Sequence, residues 1–425
     1  MADDDSGEIE YVLFQGPLNG VEVNLQKNAR LAEAGLLPAK ELVTDALLRR
    51  AERIRLEPKG NRSIVTLYVD GIPYPGGRMP RPQGLAITQM IKLLAGLDVR
   101  ERAQKQSGGL KAELEEKPYE LRVEAAPVGE GAERLTITVR NPKEELESPE
   151  DLGFTEPMRA LIRKKSKERT GLMLVCGPPF AGVTTTAYGI VRTIDAYIYT
   201  IYSLADTAGR ELNNVPQFEP NPGDDLQTTL TRLERMDVDV VLLDPLRDLE
   251  TVKTLFANHE RMCYVTEFAA KDGAHGIAQL IKWMGSPQPV AEAVRLIVHP
   301  KLIRTLCADC KEAYRPNPKL VGKVGLPPET RVLYRPPRPD PDDPDYEPCE
   351  TCGETGYIGR AGMYEVIEMT PEMKELVATN PAPPAIKQLA RKLGMQTLQQ
   401  EGLRLVAEGK TSLEELQRAF RPAQA

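Results

Sequence analysis

Gly177 to Thr185 read GPPFAGVTT, set between an apolar run, Leu172 to Cys176, and a helix-forming stretch, Thr184 to Ile194. Strand, glycine-bounded loop and helix in that order are the context of a phosphate-binding loop, GxxxxGK[ST]. In a working loop the backbone N–H groups wrap the phosphates, the lysine ammonium meets the terminal phosphates and the Ser/Thr hydroxyl holds Mg²⁺. Gly177, Gly182, Thr184 and Thr185 keep those positions here, while Val183 stands where lysine is expected. A charge-assisted hydrogen bond contributes roughly 1.5–3 kcal/mol to binding, and valine offers none.

Outward from the loop the sequence alternates strand and helix. Strand-like runs at Tyr197 to Tyr202, Val238 to Leu243 and Met262 to Thr266 are separated by helical patterns around Leu226 to Met236 and near Leu249 to Asn258. That rhythm predicts a mostly parallel sheet with helices on both faces. Upstream, helical spacing from Ala39 to Ala51 and from Gln83 to Leu97 alternates with strands at Arg53 to Glu57, Ser63 to Val69, Tyr119 to Val123 and Leu135 to Val139. This predicts a small α+β domain over 38–145, preceded by a flexible N-terminus, 1–37, and followed by an α/β core over 146–301. A cysteine-bearing insertion over 302–366 contains a Pro/Asp-rich stretch, Pro336 to Pro348, that reads as extended and solvated. A helical C-terminal subdomain, 367–425, closes the chain.

The 425 residues are 41% hydrophobic, enough for real cores, and carry a formal net charge of −7. With pI near 5.4, general binding to nucleic acid or to an anionic membrane is disfavoured, and the basic run Arg159 to Arg169 reads as a solvated helix face. No apolar stretch reaches about 18 residues, and the N-terminus is acidic rather than a signal peptide, so a cytoplasmic protein is expected. Four of the six cysteines pair as Cys307-x2-Cys310 and Cys349-x2-Cys352, 38 residues apart, each in turn-like sequence. In a cytosolic chain this pattern points to a tetrathiolate zinc site; four unrelated thiols are the alternative. Between the pairs, the Pro/Asp-rich stretch Pro336 to Pro348 is acidic, which argues against a nucleic-acid-binding zinc module. Cys176 and Cys263 lie inside apolar runs and read as core residues.

Further segments are VDG at Val69 to Gly71, IKLLAGLDVRER at Ile91 to Arg102, RDLET at Arg247 to Thr251 and LIRTLCADC at Leu302 to Cys310. To these add CETCGETGYIGRAGMYEV at Cys349 to Val366 and EGLRLVAEGKTSLEEL at Glu401 to Leu416. On these residues the chain resembles the secretion ATPases of type II secretion and type IV pilus assembly, across about residues 38 to 420. The resemblance implies a PAS-like N-terminal domain, a RecA-like P-loop core with a zinc-binding insertion, and a hexameric ring that turns ATP and Mg²⁺ chemistry into pilus or pseudopilus extension. It also implies partners at an inner-membrane secretion or pilus platform.

The departures from the family pattern fall on the reactive groups. The loop lysine corresponds to Val183 and a loop glycine to Phe180, and Pro179 adds a residue without an N–H. The family segment whose glutamate works on water and Mg²⁺ corresponds to Asp244-Pro245-Leu246-Arg247-Asp248, with Pro245 at the glutamate. The acidic box keeps Asp206 but has Ala205 at its glutamate. The histidine box falls near Val265 to Asp272, with Phe268 about where histidine is expected and His275 the nearby imidazole, read as a surface residue. Family arginines correspond to Thr66, Tyr68 and Gly109. Phosphoryl transfer depends almost entirely on placed charge. The expected function is therefore a degenerate family member with weak or no hydrolysis, an assembly or regulatory subunit in a homo- or hetero-hexamer with an ATPase paralogue. An unconventional ATPase using Thr184, Asp206, Asp244 and Arg247 is the alternative.

Overall fold

The structure, a computed structural model, describes residues 10–129, 131–143, 148–207, 210, 212–338 and 347–421, with the backbone alone at Leu320. The chain forms two units, Met1–Glu145 and Leu146–Ala425. Among the described residues no helix is long and apolar enough to cross a membrane.

The first unit is a seven-stranded antiparallel sheet with two helices. In chain order it runs β1 (Leu13–Pro17), α1 (Ala29–Leu48), β2 (Arg53–Lys59), β3 (Arg62–Val69), β4 (Ile72–Pro80), α2 (Arg81–Leu94), β5 (Gln106–Leu114), β6 (Lys117–Gly129) and β7 (Ala132–Arg140). The sheet order is β1-β5-β6-β7-β2-β3-β4. Strand β3 alternates cleanly, so Val65, Leu67 and Val69 join Leu42, Val43, Ile87 and Met90 of the helices in one core. Within this core the fully buried Lys92 meets Glu133 at 2.6 Å. The expectation of a flexible stretch over 1–37 fails for its described part. Leu13–Pro17 pairs with β5, and α1 begins at Ala29, because an edge strand and a helix start need no long periodic pattern. Residues 1–9 lie outside the described residues.

The second unit is built on a six-stranded sheet, and its elements run β8 (Gly171–Gly177), β9 (Ile201–Ser203), β10 (Val240–Leu242), β11 (Cys263–Ala269), β12 (Val294–Leu306) and β15 (Tyr357–Glu368). Between β12 and β15 lie the two-stranded sheet of β13 (Glu312–Tyr314) and β14 (Leu333–Arg335). The sheet order is β15-β12-β8-β11-β10-β9. Neighbours from β9 to β12 are parallel, and β15 is antiparallel to β12. Helices α3 (Glu156–Ser166), α4 (Val183–Thr193), α5 (Leu226–Arg235), α6 (Leu249–Ala257), α7 (Gly273–Met284) and α8 (Gln288–Ala293) connect them. After α9 (Pro318–Val324), the chain ends in α10 (Pro371–Ala378), α11 (Pro383–Lys392), α12 (Leu398–Ala407) and α13 (Leu413–Phe420).

Every residue of β8 is buried because both faces of the sheet are covered. Leu172, Leu174 and Cys176 enter one core and Met173 and Val175 the other. Burial of each such apolar side chain contributes about 1.5–3 kcal/mol. Cys176 and Cys263 are fully buried, and burial pushes both thiols up to about 12. The basic run is an ion-paired helix face: Arg159 and Arg163 meet Glu156, and Lys165 meets Glu168 and Glu368.

Two expected boundaries move. Leu302 to Leu306 finish β12 and Tyr357 to Val366 belong to β15, so the strands of the main sheet extend into the expected 302–366 insertion. The inserted segment also shares a core with the last two helices, through Val321, Leu326 and Leu333 against Leu405, Val406 and Leu416. Of the Pro/Asp-rich stretch, residues 339–346 lie outside the described residues.

Candidate functional site

The GPPFAGVTT segment joins β8 to α4 at the carboxyl end of the parallel strands, where open α/β sheets bind ligands. Phe180 has φ +67° and Gly182, the N-cap of α4, has φ +88°. The backbone therefore takes left-handed turns at Phe180, where the family has glycine, and at Gly182. Thr186 N–H bonds back to Gly182 O at 2.9 Å, starting the helix. Val183 does not reach outward as a lysine would. A Cβ placed on Gly177 would lie 2.8 Å from Val183 Cγ2 and 3.8 Å from His299 Nδ1. The valine side chain thus folds over the strand–loop joint and packs against the core. His299, buried on β12, bonds Cys176 O through Nδ1 at 2.7 Å, and burial lowers its pKa.

Thr184 is exposed in the first turn of α4, next to Thr185, and its Oγ1 donates to Glu267 Oε2 at 3.0 Å. Glu267 sits near the end of β11, the strand beside β8. Asp244 follows β10, and its Oδ1 accepts the backbone N–H of Asp206 at 3.1 Å. Leu246 N–H bonds Glu267 O at 2.8 Å, which holds the Asp244–Arg247 segment along β11. Burial raises the Glu267 carboxyl above the usual range against the Thr184 hydrogen bond, Asp244 reinforces the rise, and the charges of Arg247 and Arg210 oppose it. Arg210 also lies over the Tyr188 ring of α4, 5.6 Å from its centroid.

The structure thus brings Thr184 onto one carboxylate that sequence reasoning missed, with Asp244 and Arg247 close enough to act on its charge and Asp206 bonded to Asp244. The signal for Glu267 was an acid inside the largely buried strand CYVTEFA. Arg210, His299 and Leu302, whose side chain covers Gly182, were likewise passed over. Asp248 serves as the N-cap of α6, bonding Thr251 N at 2.8 Å. His275 is engaged with Asp272 at 2.8 Å at the start of α7. Phe268, expected about where histidine stands, is buried against Trp283.

The second constellation is Cys307, Cys310, Cys349 and Cys352, whose Sγ atoms all lie within 4.8 Å of one another. The pairs Cys307–Cys349 and Cys310–Cys352 stand 3.9 and 3.7 Å apart. A tetrahedral ion with metal–sulfur bonds of about 2.3 Å needs sulfur–sulfur edges of about 3.8 Å, so the four thiols fit a metal ion. Gly356 N–H points to Cys352 Sγ at 3.3 Å, and Thr351 bonds Asp309 across the two turns at 2.7 Å. Backbone hydrogen bonds, first from Cys352, lower the Cys349 thiol to about 7, whereas burial raises Cys307 and Cys310.

Residues 33–418 match the family described as Type II/IV secretion system protein. Type II secretion system protein E of Xanthomonas campestris is 28% identical over 392 residues, which is 90% of this chain and 66% of that protein. The type IV pilus assembly ATPase PilB of Thermus thermophilus is 26% identical over 387 residues, 89% of this chain and 42% of its own. The chain therefore spans less than two thirds of the length of each of these two relatives. Among solved structures, the ATPase DotB of Legionella pneumophila aligns over 89% of this chain and 93% of its own, with TM-score 0.53 and 13% identity. The pilus retraction motor PilT with bound ADP aligns over 90% and 97%, with TM-score 0.51 and 16% identity. These two likenesses establish a shared mixed α/β fold.

Proposed function

Since the chain belongs to the Type II/IV secretion system protein family, we propose that it is a degenerate member with weak or no ATP hydrolysis, an assembly or regulatory subunit of a secretion or pilus assembly machine. The observation that carries this reading is Val183, folded back over Gly177 where a lysine would extend toward phosphate. Pro245 in place of the family glutamate points the same way, since its apolar ring carries no group to orient water or Mg²⁺. In this reading the α/β unit is a RecA-like core and the antiparallel unit a PAS-like domain. The chain joins a homo- or hetero-hexamer with an ATPase paralogue, on the cytoplasmic side and peripheral to the inner membrane through platform proteins. Zinc is held by Cys307, Cys310, Cys349 and Cys352 and fastens the inserted segment. ATP and Mg²⁺, where they bind, meet the N–H groups of Gly177, Gly182 and Val183 and the hydroxyls of Thr184 and Thr185, weakly because no lysine balances the phosphate charge.

The grouping of Thr184, Glu267, Asp244, Arg247 and Arg210 favours a second reading, an unconventional ATPase in which these side chains replace the missing ones. Titration calorimetry with Mg-ATP and a phosphate-release assay separate the two. The proposal expects at most weak binding, and phosphate release at or barely above the buffer rate. Turnover that disappears in Thr184→Ala would establish the ATPase instead.

A further inference from the structure

We infer that Glu267 is a specificity-determining residue that turns this cleft against nucleoside triphosphate, over and above the loss of the loop lysine. The inference deepens the degenerate reading and rests on it. Thr184 Oγ1 is the hydroxyl that a P-loop presents to the metal of a metal–nucleotide, and here it donates at 3.0 Å to Glu267 Oε2. The carboxylate therefore stands beside the place that the metal, and the phosphate oxygens it bridges, would occupy. The carboxylate of Asp244, from the segment after β10, already raises the proton affinity of Glu267. Added anionic charge next to such a group is opposed on the same electrostatic ground.

The cations nearby do not lift that opposition. Arg210 and Arg247 both act on Glu267, so part of their charge is spent on it rather than on an incoming phosphate. Val183 supplies no replacement. A retained left-handed loop with its N–H groups at the head of α4 is thus combined with a carboxyl group whose charge, when ionised, lies at its mouth. Restoring the lysine alone leaves that charge in place.

The test measures ATP and ADP binding by calorimetry with Mg²⁺ on four proteins: the full chain, Val183→Lys, Glu267→Gln and the double variant. Zinc content and thermal melting serve as checks of folding. The expected order is no binding by the parent, weak binding by either single variant, and binding by the double variant at least tenfold tighter than by Val183→Lys. Should Val183→Lys crowd the core and fail to fold, Glu267→Gln alone is read with a fluorescent ATP analogue, and it is expected to bind more tightly than the parent. Equal affinity of Val183→Lys and the double variant overturns the inference, and so does a folded double variant that binds nothing. Loss of affinity on removing the Glu267 charge also overturns it, since the carboxylate would then be holding the metal. Robust ATP turnover by the parent chain, lost in Thr184→Ala, would sink the degenerate reading by itself. Tighter binding in Glu267→Gln would still support the inference in that case.

Discussion

The cysteine cluster and the loop after β8 are both sites known by spacing, but they keep different things. At the cysteines the chemistry resides in side chains, and all four sulfurs stand within 4.8 Å of one another, with two edges at the length a tetrahedral ion needs. At the loop the shape resides in the backbone. It is kept, with left-handed turns at Phe180 and Gly182, while the charged groups that would use it are replaced by Val183 and Pro245. A backbone cradle can persist on packing alone, because Gly182 lies under Leu302 and Val183 joins the core. A thiolate cluster has no comparable packing reason to stay assembled, since two of its four members are only half-buried. The contrast is therefore between side chains assembled as a metal ion would need them and a backbone shape that packing alone can hold.

The largest effect that tests this contrast comes from taking the metal away. Structural zinc contributes apparent binding energies of about 10–16 kcal/mol in small domains. Strong chelation, or the pair of changes Cys349→Ser and Cys352→Ser, should remove one zinc per chain by metal analysis. Amide hydrogen exchange should then speed up between β12 and β15, spread into α12 and α13 through the shared core, and leave β8 and β11 protected. Absence of zinc with unchanged exchange would dissolve the contrast, leaving four thiols held together by packing.

A smaller effect tests whether the loop conformation is kept by structure. Gly182→Ala forces a Cβ into the left-handed region, at about 1–2 kcal/mol, and brings it to 3.3 Å from Leu302. Its melting temperature should fall. Phe180→Gly should be neutral or stabilising by up to about 1 kcal/mol, because relief of left-handed strain is offset by the greater freedom of glycine in the unfolded chain. The Phe180 side chain is 64% exposed, so little packing is lost with it. Chemical denaturation of the two variants reads both signs, and a neutral Gly182→Ala would mean that the loop is free to relax.

The sequence made β8, β10 and β11 legible, since burial on both sides writes a continuous apolar run such as Leu172 to Cys176, whereas β12, parallel to β8, was passed over. Strands β1 and β4 were hidden because they are edges of their sheet. Edges tolerate the prolines of IPYPGGRMP, which would argue against a central strand. In β5, Gly108 and Gly109 break the alternation, and each lies where a Cβ would press on Leu97 or Leu18. The cysteine cluster was legible because its spacing is local within each pair. Glu267 was not, because its meaning comes from Thr184, 83 residues away, and only the pairing of β11 with β8 brings the two together.

The smallest expected effect is a difference in sign between two carboxylates near the loop. Burial works to raise Asp272 as well, but hydrogen bonds from Lys387 and His275 overcome it and hold the group at about 2. Its contribution to stability is present above the unfolded value of about 3.9 and is lost as pH falls from there toward 2, so Asp272→Asn should destabilise at pH 7 and converge with the parent in acid. Glu267 runs the other way. Its folded carboxyl binds a proton more tightly than the unfolded value of about 4.3, so ionising it costs stability as pH rises above that value. Glu267→Gln should therefore melt with the parent at pH 4 and above it at pH 8. Melting curves of both variants across that range decide the matter. A Glu267→Gln protein that is less stable than its parent at pH 8 would mean that the Thr184 hydrogen bond outweighs the buried charge, and the cleft would then be a braced site rather than a scaffold bearing a misplaced anion.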